Sequence, residues 1–398
     1  MIKLAARIHT IKPSPTLAIT AKANALRAEG RDVIGFGAGE PDFDTPDNIK
    51  KAAIQAIEKG FTKYTPVCGT VELKDAIIAK LIRDNQLTYE RSEIIVSCGG
   101  KHTLYNLTQV LFEEGDEVII PSPYWVSYLD MVVLTGAKPV IIKTSEKQWF
   151  KILPEQLKAA ITARTRAIMM NSPSNPTGAV YSASELAALA KVLAGTEILV
   201  ISDDIYEKIL YNGKPFTNIA SVNEEVRKRT IVVNGVSKAY AMTGWRIGYA
   251  AGPQEIIAAA TKLQSQNTSN PTSIAQMAAL EALNGNQDSV EVMVAEFKRR
   301  RDRIVEMLNA IPGINCTLPD GSFYVFPEVS SLFGRSFSGR TVSNSSDFAS
   351  FLLDSVNVAL VPGADFGSDN HVRLSYATSM KNIEEGMKRI HSAVKRLS

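Results

Sequence analysis

The chain is poor in the residues that announce a metal site or a disulfide scaffold. Its three cysteines, Cys68, Cys98 and Cys316, lie far apart and are odd in number, which excludes a disulfide framework and the paired spacing of a zinc site. Sparse, unpaired thiols fit a reducing, cytoplasmic setting. The four histidines, His9, His102, His371 and His391, show no ligand spacing, and each reads as a surface or satisfied core residue. No Gly-x-Ser-x-Gly elbow occurs. A metal hydrolase and a serine hydrolase are therefore disfavoured, and no metal is expected.

An excess of charge of one sign is also missing. With 44 Lys and Arg against 41 Asp and Glu, the chain shows neither the footprint of a nucleic-acid binder nor an acidic tail. No apolar run approaches the ~18 residues of a membrane span, and no apolar segment of signal length follows Lys3 and Arg7. A soluble protein is expected, with no nucleic acid and no membrane among its partners. A repeat at a period of roughly 20 to 50 residues is absent too.

What is present is apolar patterning on the scale of a large core. At 398 residues and 45% hydrophobic, the chain has the length for two domains. From about residue 93, β-branched runs alternate with helical patterns, the signal for βαβ units and a parallel sheet. The seven candidate strands are 93–99, 116–122, 138–143, 166–172, 197–203, 230–236 and 245–252. Between them, Leu104, Leu107 and Leu111 share one helical face, and Ser182 with Glu185 forms a capping box. The fold class predicted is α/β: a large domain with a mostly parallel, doubly wound seven-stranded sheet, plus a smaller α+β domain. A long charged helix over 289–311 opens that second part. Residues 1–45 are expected to join the small domain, 46–290 to form the large one and 291–398 the small one. The Ser- and Gly-rich segment near 331–346 is expected to be a mobile surface loop.

In open α/β sheets, ligands bind beyond the carboxyl ends of the strands, and several residues there carry chemistry. Gly99, Gly100 and Lys101 follow the first run; they are a plain turn, or a place where a helix N-terminus meets a phosphate. Asp203 ends the fifth run and Tyr206 follows it; an aspartate there is a helix cap or a ligand partner. Asn175 lies in the turn-rich "SPSNPTG" and could direct its amide into the crevice. Ser237 and Lys238 follow the sixth run. A lysine at the inner end of a buried strand is unlike the usual solvated one; burial disfavours its ammonium, and the neutral amine attacks carbonyls. Arg246 offers a planar fork for phosphate, or a structural ion pair. Together these residues match what pyridoxal 5′-phosphate needs: a lysine for its aldehyde, an anion site and a carboxylate for its pyridine nitrogen. The "GFGAG" run at 35–39 lacks dinucleotide-loop spacing and leads into Glu-Pro rather than a helix, so that reading is rejected.

The motifs "GAGEPDFDTP", "NSPSNPTG", "SDDIYE", "SKAYAMTGWRIGY" and "HVRLSYA" resemble those of the fold type I pyridoxal-phosphate aminotransferases, class I, in the bacterial aspartate aminotransferase branch. The likeness runs from about residue 8 to the C-terminus and is weakest near 331–346. It implies that Lys238 links to the cofactor and shuttles the substrate Cα proton, that Asp203 pairs with the pyridinium nitrogen, and that Tyr206 and Asn175 bond the phenolic oxygen. Trp125 would stack on the ring, its alternative being plain core. Gly100 and Lys101, through backbone amides, would surround the phosphate with Ser237 and Arg246. Tyr64 would reach the phosphate of a neighbouring subunit in a homodimer, or is an ordinary turn aromatic. Arg373 would grip the substrate α-carboxylate, with a backbone contact from Gly39. Some members of this branch bind a distal carboxylate with a lysine, at a position aligned with Gln109 here. Lys12 is the substitute cation, or a solvated terminus, and also resembles members that transaminate prephenate. The implied activity is amino-group exchange between an L-amino acid, aspartate or glutamate first, and a 2-oxo acid. β-Elimination or another transamination specificity are the alternatives among enzymes. A non-catalytic cofactor-binding regulatory module is the alternative of a different class, and would need an extension that these motifs leave little room for.

Overall fold

The computed structural model describes residues 2–11, 13 and 15–398, with backbone alone at 15–17 and 20. Its strands are β1 (Ile34–Gly35), β2 (Ile94–Ser97), β3 (Glu117–Ser122), β4 (Lys138–Lys143), β5 (Thr165–Asn171), β6 (Leu199–Asp203), β7 (Thr230–Gly235), β8 (Gly248–Ala251), β9 (Tyr324–Val325), β10 (Ser336–Phe337), β11 (Arg340–Thr341), β12 (Val358–Ala359), β13 (Val361–Pro362) and β14 (Val372–Ser375). All seven apolar runs become strands of one sheet, in the order β2-β8-β7-β6-β5-β3-β4. Only β8 runs against its neighbours.

Both faces of this sheet are buried, which is why its strands are unbroken apolar runs rather than alternating ones. Successive side chains still point to opposite sides. Val118, Ile120, Met169, Ile201 and Val233 pack into one core layer, whereas Ile119, Ile168, Met170 and Val200 pack into another. The helix Gly100–Leu111 covers the first face with Leu104 and Leu107. The helix Ala183–Leu193 covers the second, and its capping box forms between Ser182 and Glu185.

The C-terminal part is built on the helix Asp288–Asn309 and the antiparallel sheet β13-β14-β9. β1 pairs in parallel with β12, Ile34 against Val358, so the N-terminal segment is stitched to this part. Ile34 and Phe36 share a core with Phe297, Ile304, Leu374 and Met387.

The segment near 331–346 departs from the expected loop. It holds a one-turn helix at Ser330–Leu332 and the β10–β11 hairpin, and it ends where Asn344 caps the helix Ser345–Val356 by accepting from Asp347 N at 2.9 Å. Ser338 and Gly339 both take positive φ, the geometry of a two-residue hairpin turn. Ser and Gly serve the turn rather than disorder. The three cysteines are free. Among the described residues, no helix is long and apolar enough to cross a membrane.

Candidate active site

The carboxyl ends of β2, β3, β5, β6 and β7 open on one edge of the sheet, and β8, being antiparallel, brings its amino end to the same edge. A cleft of about 270 Å³ lies there. Its floor is Lys238, which follows β7. The lysine's amine is enclosed and donates to the carbonyl of Gly39. Burial pushes its pKa down to about 8, helped by Arg373 and Arg246 and opposed by Glu40 and Asp203. At pH 7 about a tenth of such amines are neutral, against roughly one in three thousand for an ordinary lysine.

Opposite stands Asp203, the last residue of β6. Burial raises its pKa to about 6, while a hydrogen bond from Tyr128, the Ile205 N–H and the charge of Lys238 pull it down. Tyr128 donates to Asp203 Oδ2 at 2.5 Å. Tyr206 shares a hydrogen bond of 2.9 Å with Tyr324. Trp125 forms a half-buried wall, set edge-on to Tyr128 at 5.3 Å.

One end of the cleft is an anion cradle. Gly99 turns with φ of 90°, and the helix Gly100–Leu111 starts there without a side-chain cap, which leaves its first N–H groups for a ligand. A Cβ on Gly248 would lie 2.2 Å from the nitrogen of Gly100, so only glycine lets this turn sit against the sheet. Arg246 reaches over it, donating to Thr243 O at 2.9 Å and Cys98 O at 3.3 Å, and Ser237 lines the same end. These free amides, the guanidinium and the enclosed amine fit the phosphate and the aldehyde of pyridoxal phosphate.

At the other end Arg373 is 2% exposed. It donates to Asn175 Oδ1 at 3.0 Å and Gly37 O at 2.8 Å, leaves Nε without a partner, and lies over the Tyr324 and Phe366 rings at 4.5 and 4.9 Å. A buried guanidinium with no carboxylate partner is primed for an anionic ligand. Between the two ends Lys101 places its ammonium 4.9 Å from the Trp125 ring centre. Burial and the Arg246 charge lower its pKa, against Asp130.

The residues singled out from sequence that line this one cleft are Gly39, Gly100, Lys101, Trp125, Asn175 and Asp203, and also Tyr206, Ser237, Lys238, Arg246 and Arg373. Tyr64 does not; it is 91% exposed. Lys12 lies outside the described residues. Gln109 sits two turns beyond Lys101 on the same helix and does not line the cleft, so the cation this helix contributes is the Lys101 side chain, which sequence reading had credited with its backbone amide alone. Tyr128, Asn171 and Tyr324 also line the cleft and were missed. The local signals they offered are that Asn171 opens the quoted "NSPSNPTG" and that Tyr128 stands three residues after Trp125.

A family model described as "Aminotransferase class I and II" matches residues 31–390. The chain belongs to this family. Its members are pyridoxal-phosphate enzymes, and this chain is an aminotransferase of that kind. It is 54% identical to the aspartate aminotransferase of Bacillus sp. (strain YM-2), over 98% of this chain and 99% of that one. It is 53% identical to the aspartate/prephenate aminotransferase of Nitrosomonas europaea, over 98% and 99%. Among solved structures, the aspartate aminotransferase from Rhizobium meliloti superposes with a TM-score of 0.97 at 48% identity, each chain covered in full. That from Thermus thermophilus, solved with maleate, gives 0.93 at 44%, over 99% of this chain and 100% of the other.

Proposed function

We propose that this aminotransferase exchanges the amino group of aspartate or glutamate with a 2-oxo acid in two half-reactions, with the cofactor held at Lys238. The observation that carries the reading is an enclosed amine, with no carboxylate bonded to it, facing Asp203 in a cleft that has a buried guanidinium at one end and a helix-start anion cradle at the other. Pyridoxal phosphate, when bound, supplies an aldehyde for that amine and a ring that draws off the electrons released at the substrate Cα. Gly100 and Lys101 N–H, Ser237 and Arg246 would hold its phosphate, Asp203 its pyridine N–H, and Asn175 and Tyr206 its phenolic oxygen. Trp125 closes one face of the ring site. Arg373 takes the substrate α-carboxylate on its fork, beside Gly39. The neutral Nζ of Lys238 is the group in the cleft that would take the substrate Cα proton and return it.

The aspartate preference rests on a second cation. Lys101 Nζ stands over Trp125 and lines the same cleft as Arg373, so it is the cation offered to a substrate's distal carboxylate. The Thermus thermophilus relative was solved with maleate, a dicarboxylate. Lys12 stays in this proposal as a further cation for the distal carboxylate. Prephenate, also a dicarboxylate, is the second reading, favoured by the Nitrosomonas europaea relative named for both substrates.

Tyr64, 91% exposed in one chain, supports a homodimer in which it reaches the neighbouring phosphate site. The division at residues 45 and 290, with the N-terminal segment joined to the small domain, is part of the same reading, as is a cytoplasmic location. A half-reaction screen tests the function. The protein is mixed with each amino acid and loss of its visible absorbance is followed. Aspartate and glutamate should bleach it fastest; no bleaching by any amino acid would refute the reading.

A further inference from the structure

Asp203 is 6% exposed, and a buried carboxylate keeps its charge only where donors hold it. Its Oδ1 accepts the Ile205 N–H at 3.3 Å and its Oδ2 the Tyr128 hydroxyl at 2.5 Å. The other ionisable groups facing it are engaged elsewhere. Lys238, on the loop after β7, donates to Gly39 O, and Tyr206, on the turn after β6, is bonded to Tyr324. Asp204 is turned away, toward Ser202 and Asn218. Tyr128 itself is 2% exposed in the short helix Ser127–Val133 and braced edge-on by Trp125. Burial raises its own pKa, so it stays a donor throughout the working range.

We propose that Tyr128 is a positioning residue for the cofactor acid, its hydroxyl holding Asp203 in the orientation and the ionised form that pair with the pyridine nitrogen. The inference rests on the reading of Asp203 given above and deepens it. Phenylalanine would fill the same space, so the hydroxyl is there for the carboxylate rather than for packing. With Asp203 raised to about 6, the anion is nearly complete at pH 7, but with little margin. Loss of one charge-assisted hydrogen bond moves such a group up by about one to two pH units, through neutrality.

The test is the affinity of apoprotein for pyridoxal phosphate, measured by fluorescence titration across the neutral range, in the parent, Tyr128→Phe and Asp203→Asn. In the parent the affinity should inflect near pH 6 as Asp203 ionises, a step separate from the one Lys238 contributes near 8. In Tyr128→Phe the inflection should rise by about one to two pH units, weakening binding at pH 7 by about two- to tenfold and converging with the parent at alkaline pH. A profile superposing on the parent's overturns the role of Tyr128. Asp203→Asn should weaken binding and remove the inflection; an unchanged Asp203→Asn profile overturns the Asp203 pairing itself, so the two failures are distinguishable. Replacing Tyr128 with 3-fluorotyrosine keeps the fold and makes the phenol a stronger donor, so the inflection should fall below the parent's. An unmoved inflection there also sinks the proposal, even if the Phe variant does not fold.

Discussion

Two lysines hold their amines away from bulk solvent under opposite conditions. Lys80, in the helix Val71–Asn85, is 2% exposed, ion-paired with Glu207 and bonded to Asn85 Oδ1 at 2.7 Å. Asn85 in turn donates to Glu207 Oε2 at 2.9 Å, which closes the network. Lys238 has a backbone carbonyl as its hydrogen-bond partner and an amine pushed down to about 8. Burial alone therefore does not mark a chemical lysine. What sets Lys238 apart is its place in the cleft, with no carboxylate bonded to an amine that burial makes ready to lose its proton.

The sharpest break in the comparison is substitution. Lys238→Ala should lower turnover by about 10⁴-fold or more while leaving the thermal midpoint of the apoprotein unchanged or higher; steady-state assays and melting curves read the two effects. Lys80→Met should do the reverse, costing about 3–5 kcal/mol of stability by stranding Glu207, with kcat of the folded protein within about twofold of the parent. Urea unfolding measures the first effect and assays at matched folded concentration the second. If Lys80→Met stops turnover in folded protein, the distinction fails.

A smaller effect concerns the cleft's other amine. Lys101→Ala should raise KM for aspartate about tenfold, near 1.4 kcal/mol, and leave KM for alanine little changed. Equal losses for both amino acids would remove Lys101 from distal-carboxylate recognition. Lys12→Ala sorts by the same ratio. The mildest effect is on pH. Because the neutral form of Lys238 is the reactive one and its folded pKa is depressed to about 8, capture of pyridoxal phosphate by apoprotein should quicken with pH and level off near 8. Stopped-flow absorbance would show this, and a plateau near the ordinary lysine value of about 10.4 would contradict it.

Most of the sheet was legible because strands buried on both faces leave long β-branched runs with little else to mean. The strand is shorter than the apolar run at 245–252: Thr243–Trp245 is a helical turn, Arg246 takes a left-handed conformation and β8 starts at Gly248. A run of apolar residues does not record where hydrogen bonding begins. The cleft was legible wherever its residues follow a strand end, as Asp203, Lys238 and Asn175 do. Tyr128 and Tyr324 were not, since each arrives through tertiary packing from a segment with no motif of its own. Gln109 and Lys101 share a helix, and which of the two faces the cleft is a matter of helical face that position in the sequence does not show; in this chain it is Lys101.

The most direct test is chemical trapping. Protein loaded with pyridoxal phosphate is reduced with borohydride and digested, and the modified peptide is located by mass. The account predicts the pyridoxyl tag on Lys238, in the peptide containing Ser237; a tag on Lys101, on another lysine or on none would contradict it.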